Sequence, residues 1–232
     1  MTMTDIVANL QKIQQDIHHY AQQSQRDSSE VLLLAVSKTH SVDKIKCAYE
    51  QGQHRFGENY LQHAIPKIIE LDQLNIEWHF IGKIQSNKTR LIAEHFSWVQ
   101  TLESGKHAQR LSQQRSSDLP ALNLCIQVNI NQEPQKAGIL LSQVSELAKQ
   151  INDLPHLKLR GLMAIPAANQ TIEQQADTFQ KLNHAFQLLS QIYPQVDTLS
   201  MGMTNDMQVA IAQGSTMVRI GTGIFGAREP LV

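Results

Sequence analysis

The sequence has few of the features that mark membrane, secreted or nucleic-acid-binding proteins. No apolar run is long enough to span a bilayer. The 20 Lys and Arg residues are balanced by 21 Asp and Glu residues, and the resulting net charge of −1 supplies no field that would attract nucleic acid or an anionic membrane. We therefore expect neither nucleic acid nor a membrane among its partners.

Cysteine, glycine and proline are also scarce. The two cysteines, Cys47 and Cys125, have no CxxC spacing, which favours buried thiols in a reducing compartment over a disulfide framework. With 11 glycines, 7 prolines and 41% hydrophobic residues, the composition excludes collagen-like and disordered chains. The first residues lack the basic start and continuous apolar core of a signal peptide. We expect a globular, cytoplasmic protein.

Apolar segments of strand length alternate with amphipathic segments of helical length along the chain. This alternation is typical of a parallel sheet with crossover helices. The predicted strands are 31–36, 55–57, 77–81, 97–102, 122–130, 157–164, 197–201 and 216–220. The predicted helices are about 4–24, then 42–51, 60–71, 87–95, 105–116, 140–151, 172–192 and 205–213, with Ser41 and Thr204 as N-caps.

Eight strands are the number that closes a barrel, and no repeat or flexible linker interrupts them. We therefore expect one domain over residues 1–232, a single α/β (β/α)8 barrel of the TIM type with an extra N-terminal helix. An open doubly wound sheet is the alternative. In a barrel, functional residues cluster where the strands end, so the site should be built from those positions.

Two cations stand at or near strand ends. Lys38 follows the first strand on the same face as Leu34 and Val36. A partly desolvated, neutral amine there can condense with a carbonyl compound, although a surface lysine also fits the spacing. Arg219 lies inside the last strand and needs a partner, because an unpaired buried guanidinium is costly; a structural ion pair is the alternative to a functional role.

Polar or glycine-rich loops follow the last two strands. Residues 221–226 match GxGxxG, but the helix and acidic residue of a dinucleotide site do not follow them. The backbone N–H groups of this loop and of the loop 200–204 are instead suited to hold a phosphate. Either loop alone could be a tight turn, but the two together favour a phosphate site.

Other chemistry has no signature in the sequence. The ten histidines show no metal-ligand spacing, so we expect no metal, and no GxSxG elbow is present. Asn59 and the segment 78–88 add polar groups at the same rim, without a spacing that assigns their roles. Lys83, Lys88 and Arg90 fit a solvated helix face better than a nucleic-acid patch, given the net charge.

Five segments of the sequence resemble one known family. They are LLAVSKTH, FGENYLQ, WHFIGKIQSNK, GLMAIP and LSMGMTNDMQVAIAQGSTMVRIGTGIFGAR, and they run across nearly the whole chain. The family is that of the pyridoxal phosphate homeostasis proteins, whose barrel is similar to the N-terminal domain of alanine racemase. The resemblance implies that pyridoxal 5′-phosphate (PLP) is the cofactor, that Lys38 forms the Schiff base (the internal aldimine), that Asn59 lies beside the cofactor, that Ser200, Gly221 and Thr222 bind the phosphate, and that Arg219 faces the pyridine nitrogen.

Three functions fit such a site: a PLP carrier, a PLP-dependent racemase, and a Schiff-base aldolase acting on a phosphorylated sugar. A resting aldolase would lack the visible absorption of bound PLP. A racemase similar to alanine racemase takes a tyrosine base from a second domain, which we do not expect here. The four tyrosines fall in predicted helices or, for Tyr193, directly after one.

Arg219 favours the carrier. A guanidinium has no proton acceptor, so opposite the ring nitrogen it keeps the pyridine unprotonated and weakens carbanion stabilisation. We therefore expect a monomeric carrier and buffer of PLP in vitamin B6 homeostasis, without a catalytic residue. Other B6 vitamers and PLP-dependent apoenzymes are its further expected partners, and a racemase is the alternative.

Overall fold

The computed structural model describes residues 2–227; residue 1 and residues 228–232, the ends of the expected domain, lie outside that range. Eight parallel strands form a closed barrel in chain order. They are β1 (Leu32–Val36), β2 (Arg55–Glu58), β3 (Glu77–Phe80), β4 (Trp98–Leu102), β5 (Leu122–Val128), β6 (Leu157–Ala164), β7 (Thr198–Ser200) and β8 (Met217–Ile220). Since β8 pairs with β1, with Leu34 beside Arg219, the predicted TIM-type barrel is confirmed and the open sheet is wrong.

Helices connect the strands on the outside of the barrel. Over residues 2–227 they are α1 (Met3–Gln23), α2 (Val42–Glu50), α3 (Leu61–Glu70), α4 (Thr89–His95), α5 (Gly105–Gln114), α6 (Val144–Asn152), α7 (Ile172–Ile192), α8 (Met207–Ala212) and α9 (Thr222–Phe225). Two short 3-10 helices, Ser28–Glu30 and Leu141–Gln143, accompany them, and the second occupies the start of the predicted helix 140–151.

Two features of the helices differ from expectation. The sequence did not predict α9, because its glycines indicate a loop. The N-cap of α8 is Asp206 and not Thr204, and the Asp206 carboxylate accepts a hydrogen bond from the Met203 N–H. Thr204 therefore stays in the loop after β7, where its side chain is available to the site.

The N-terminal helix α1 docks beside the elements that carry the site. Its buried residues recur every three or four positions, from Ile6 to Ala21, and Thr2 and Asp5 form a capping box. This apolar stripe packs against α2, α8 and α9. None of the helices in the described part of the chain is long and apolar enough to cross a membrane.

The core has an outer apolar layer and a more polar interior. Strand residues such as Leu33 and Ala35 join one large cluster with the helices, whereas Trp98, Cys125 and Met163 form a separate buried cluster. Gln100 on β4 is hydrogen-bonded to Ser200 on β7, and because these strands are not neighbours, that contact crosses the inside of the barrel. The barrel interior is thus bridged by polar side chains below its carboxyl end.

Candidate functional site

A cavity of about 300 Å³ opens at the carboxyl end of the barrel, where functional residues were expected. Five of the six residues singled out by the sequence meet there, namely Lys38, Asn59, Arg219, Gly221 and Thr222. The remaining lining residues are Val36, His40, Ile81, Met163, Ile165, Met203 and Thr204. An amine from the end of the first strand and a guanidinium from the last strand thus line one cavity.

The end of β1 sets the position of Lys38. Val36 is buried, and the N–H of the fully buried Ser37 donates to the Gly57 carbonyl 3.0 Å away. Lys38 is half-buried, and Thr39 after it adopts a left-handed backbone with φ of 68°, which is uncommon for a β-branched residue. The chain therefore turns sharply after Lys38 and leaves the side chain at the cavity.

A buried ion pair anchors that turn from below. Lys67 Nζ on α3 donates to Glu58 Oε1 at 2.9 Å and to the Ser37 carbonyl at 3.1 Å. The Ser37 hydroxyl also donates to Glu58 Oε1, at 2.7 Å. The Glu58 side chain is fully buried, and these bonds to Oε1 replace part of the water it loses, whereas Oε2 has no hydrogen-bond partner over residues 2–227. They tie the end of β1 to β2 and α3, directly beside Lys38.

Arg219 is held in place by oxygens and not by an ion pair. Its Nη1 donates to the Ser200 carbonyl at 2.7 Å and to Ser200 Oγ at 2.8 Å, and its Nη2 donates to the Ala164 carbonyl at 2.9 Å. Over the residues that the structure describes, no carboxylate lies within ion-pair distance of it. Burial lowers the pKa of Arg219 to about 10, against the opposing charge of Asp206, so it remains a cation at neutral pH.

The two loops expected to bind phosphate lie on one side of the cavity. Gly221 and Thr222 line it, and Thr222 begins α9, whose first N–H groups have no acceptor within the helix. Thr204, from the loop after β7, adds a hydroxyl that was expected to cap a helix. Gly202 makes this loop possible, because its φ is 96° and a Cβ there would lie 2.6 Å from the Ala210 Cβ.

Ser200 is placed differently from the expectation. Its side chain is fully buried and outside the cavity lining. Its hydroxyl donates to Gln100 Oε1 at 2.7 Å and accepts from Arg219. The hydroxyl thus donates within the barrel and supports Arg219 from beneath, and the expected contact of Ser200 with a phosphate stays a prediction. Sequence reasoning did not find Gln100, because the sequence shows a glutamine within a strand but not the partner that it meets.

Asn59 stands between this cavity and a second one. Its side-chain oxygen is buried and has no hydrogen-bond partner over residues 2–227, so it can accept a bond from a ligand. Gly82 must lack a side chain, because a Cβ would collide with the Asn59 carbonyl. The second cavity, of about 470 Å³, is also lined by Lys83 and Lys88, which places these two lysines beside the candidate site and outside its lining.

The chain is similar to known proteins over nearly its whole length. The family model described as the alanine racemase N-terminal domain matches residues 8–229. A protein from Pasteurella multocida named pyridoxal phosphate homeostasis protein is 54% identical over 228 residues, covering 97% of this chain and 98% of its own. The protein of that name from Escherichia coli K12 is 48% identical over 230 residues, covering 98% of each.

A solved structure agrees with these sequence relatives. PipY from Synechococcus elongatus, determined with PLP bound, superimposes with a TM-score of 0.82 at 36% identity, covering 95% of this chain and 100% of PipY. Sequence and structure comparisons thus lead to the same group of proteins.

Proposed function

The chain belongs to the pyridoxal phosphate homeostasis protein family, within the alanine racemase N-terminal domain, and we propose that it binds PLP and carries or buffers this cofactor inside the cell. The observation that carries the proposal is the convergence of Lys38 and Arg219 on one cavity at the carboxyl end of the barrel. The PLP in the PipY structure supports the same ligand.

The residues of the cavity fit PLP. Its volume lies at the low end of ligand cavities, which suits a molecule of one ring, one aldehyde and one phosphate. Bound PLP supplies an aldehyde that bonds reversibly to a primary amine, and Lys38 provides that amine. Gly221, Thr222 and Thr204 would hold the phosphate, and Arg219 would face the ring nitrogen. The unpartnered oxygen of Asn59 gives the ligand a further polar contact.

Arg219 also favours a carrier over an amino-acid enzyme. Its three acceptors and its cationic state fix a donor-only group in the cavity. Opposite the ring nitrogen of PLP, this donor would disfavour protonation of the nitrogen and so would weaken the electron withdrawal that the ring can supply. Over the described residues, the lining contains no tyrosine and no carboxylate, and His40 is the one residue besides Lys38 with the chemistry of a general base. We therefore propose that amino acids are not turned over at ordinary enzymatic rates.

The proposal includes a cytoplasmic monomer that delivers PLP to PLP-dependent apoenzymes and accepts other B6 vitamers. Sedimentation equilibrium checks the monomer, and cell fractionation checks the compartment. Delivery is checked by mixing the PLP-loaded protein with an apoenzyme and following the recovery of that enzyme's activity against free PLP at the same concentration.

Absorbance and peptide mapping test the site itself. The purified protein mixed with PLP should show a visible band, and borohydride followed by peptide mass mapping should place the pyridoxyl group on Lys38. Lys38→Ala should lose the covalent product and keep the fold, because the residue adds little to the core. Lys83→Ala, at the neighbouring cavity, is the matched control and should behave as wild type. A pyridoxyl group mainly on another lysine would contradict the assignment.

Incubation with amino acids tests the absence of turnover. The PLP-loaded protein is mixed with L-alanine, and D-alanine, keto acid and amine are measured over time. Formation of any of these at about 1 s⁻¹ or faster would replace the carrier by a racemase or related enzyme.

A further inference from the structure

A continuous chain of hydrogen bonds crosses the barrel interior beneath the cavity. Arg219 Nη1 lies 2.8 Å from Ser200 Oγ, which lies 2.7 Å from Gln100 Oε1. Gln100 Nε2 is 3.0 Å from His79 Nδ1, and His79 Nε2 is 3.0 Å from Glu77 Oε1. The chain begins on β8 at the cavity and ends where Glu77 starts β3, at the opposite mouth of the barrel.

The chemistry of its two ends fixes the direction of every link. The Glu77 carboxylate only accepts, so His79 carries its proton on Nε2, and its Nδ1 must accept from the Gln100 amide. The Gln100 oxygen then accepts the Ser200 hydroxyl proton. This leaves the Ser200 lone pairs for the guanidinium, which only donates. All four bonds therefore point from the Arg219 cation towards a carboxylate.

The middle of the chain is sealed from water. Ser200, Gln100 and His79 are fully buried, and each needs its partners because an unpaired buried polar group is costly. Trp98 stacks on the His79 ring with the ring centres 5.0 Å apart. The arrangement cannot relax by exchanging one of these bonds for a bond to solvent.

The surroundings of His79 keep it neutral, as the chain requires. Burial lowers the pKa of His79, and the Glu77 hydrogen bond and charge oppose this. The cations Arg55 and Arg160 lower it further. A neutral ring at pH 7 keeps the lone pair on Nδ1 that accepts from Gln100.

We propose that Gln100, His79 and Glu77 are positioning residues for the cofactor cavity, because together they orient the Ser200 hydroxyl as an acceptor and so hold Arg219 at the ring nitrogen. The proposal rests on the proposed function, in which Arg219 faces PLP. It goes further by making the ligand's environment depend on residues that lie outside the cavity and reach to the far end of the barrel.

Two variants with matched controls test this role. Gln100→Met keeps the shape and removes the links to Ser200 and His79, together with the contact between Gln100 Nε2 and Met217 Sδ. Its control is Gln53→Met, since Gln53 is also buried but donates to the Leu33 and Arg55 carbonyls, away from Arg219. Glu77→Gln keeps an acceptor for His79 but removes the charge. Because the Glu77 side chain is partly exposed, this variant should fold and tests the chain even if Gln100→Met does not fold. Its control is Glu30→Gln, which removes the charge of an ion pair with Arg26 at the same mouth.

We measure the PLP dissociation constant, the pH profile of the visible band, and the ¹⁵N NMR spectrum of histidine-labelled protein without ligand. The His79 signal is assigned by its loss in His79→Gln. We expect Gln100→Met to weaken PLP binding about tenfold, the factor that 1.4 kcal/mol represents, and to change the pH profile. Glu77→Gln should change the affinity and the pH profile in the same direction, but by a smaller amount. Both controls should match wild type. NMR should find His79 neutral and protonated on Nε2.

The outcomes separate this role from the proposed function. Wild-type protein that binds no PLP contradicts the proposed function and the positioning role with it. Wild-type protein that binds PLP on Lys38, with Gln100→Met or Glu77→Gln indistinguishable from its control in both affinity and pH profile, overturns the positioning role alone. A His79 proton on Nδ1 overturns the chain without reference to any ligand.

Discussion

Replacement of Lys67 by methionine tests the buried ion pair beside Lys38. The Glu58 side chain is fully buried and that of Lys67 is 11% exposed, so removing the ammonium leaves a carboxylate in the interior with only the Ser37 hydroxyl as donor. Losing one partner of a buried pair costs about 3 to 5 kcal/mol, chiefly because the other charge is left unpaired. We expect Lys67→Met to lower the free energy of unfolding by that amount.

The assay is urea unfolding followed by circular dichroism, with two comparisons. Lys181→Met removes the same side chain from an exposed ion pair with Asp177 and should cost between 0 and about 1 kcal/mol. The double variant Glu58→Leu with Lys67→Met removes both buried charges and should be more stable than Lys67→Met alone. If Lys67→Met costs no more than Lys181→Met, the ion pair does not hold the end of β1 as we argue.

Three further predictions follow from the site and its surroundings. Pyridoxal, which lacks the phosphate, should bind roughly 10- to 100-fold more weakly than PLP, since each charge-assisted hydrogen bond is worth about 1.5 to 3 kcal/mol before water compensates; equal affinities in an absorbance titration would contradict the phosphate site. Burial alone would raise the pKa of Glu77, but the His79 hydrogen bond and the Arg55 guanidinium lower it from 4.5 to about 2. Its stabilising contribution is therefore present above pH 4.5 and lost as the pH falls towards 2. The difference in the free energy of unfolding between wild type and Glu77→Gln should shrink over that range in urea titrations. A constant difference would refute the assignment. Cys125 is fully buried and burial raises its pKa to about 12, so it should react with a disulfide reagent only after unfolding. The half-buried Cys47 should react in the native protein. Two thiols that both react fast in the native protein would be inconsistent with the barrel core.

Much of the fold was predictable because its elements follow simple periods. β6 and α7 begin and end at the predicted residues, and α7 carries a capping box formed by Thr171 and Gln174. The segment 140–151 was predicted as one helix, since its apolar spacing continues through a 3-10 turn that uses the same pattern. α9 was missed because two of the residues around it are glycines, which weaken any helical signal.

The candidate site was predictable where a single strand decides the geometry. Lys38 follows from the period of two along β1, and Arg219 from a charge inside an apolar strand. The support beneath Arg219 was not predictable, because Gln100 and Ser200 lie on strands that do not neighbour each other and meet only across the closed barrel. Linear spacing carries no information on which side chains face each other across the interior.

The pairing of β8 with β1 has a consequence for the timing of synthesis. Lys38 leaves the ribosome long before Arg219, and at about 5 to 20 residues per second the 181 residues added from Thr39 to Arg219 take roughly 10 to 40 s. During that interval the nascent chain has the amine but neither the guanidinium nor the loop after β8. If the chain binds PLP as proposed, we therefore expect it to be loaded only after synthesis, so that growing chains do not deplete the free pool.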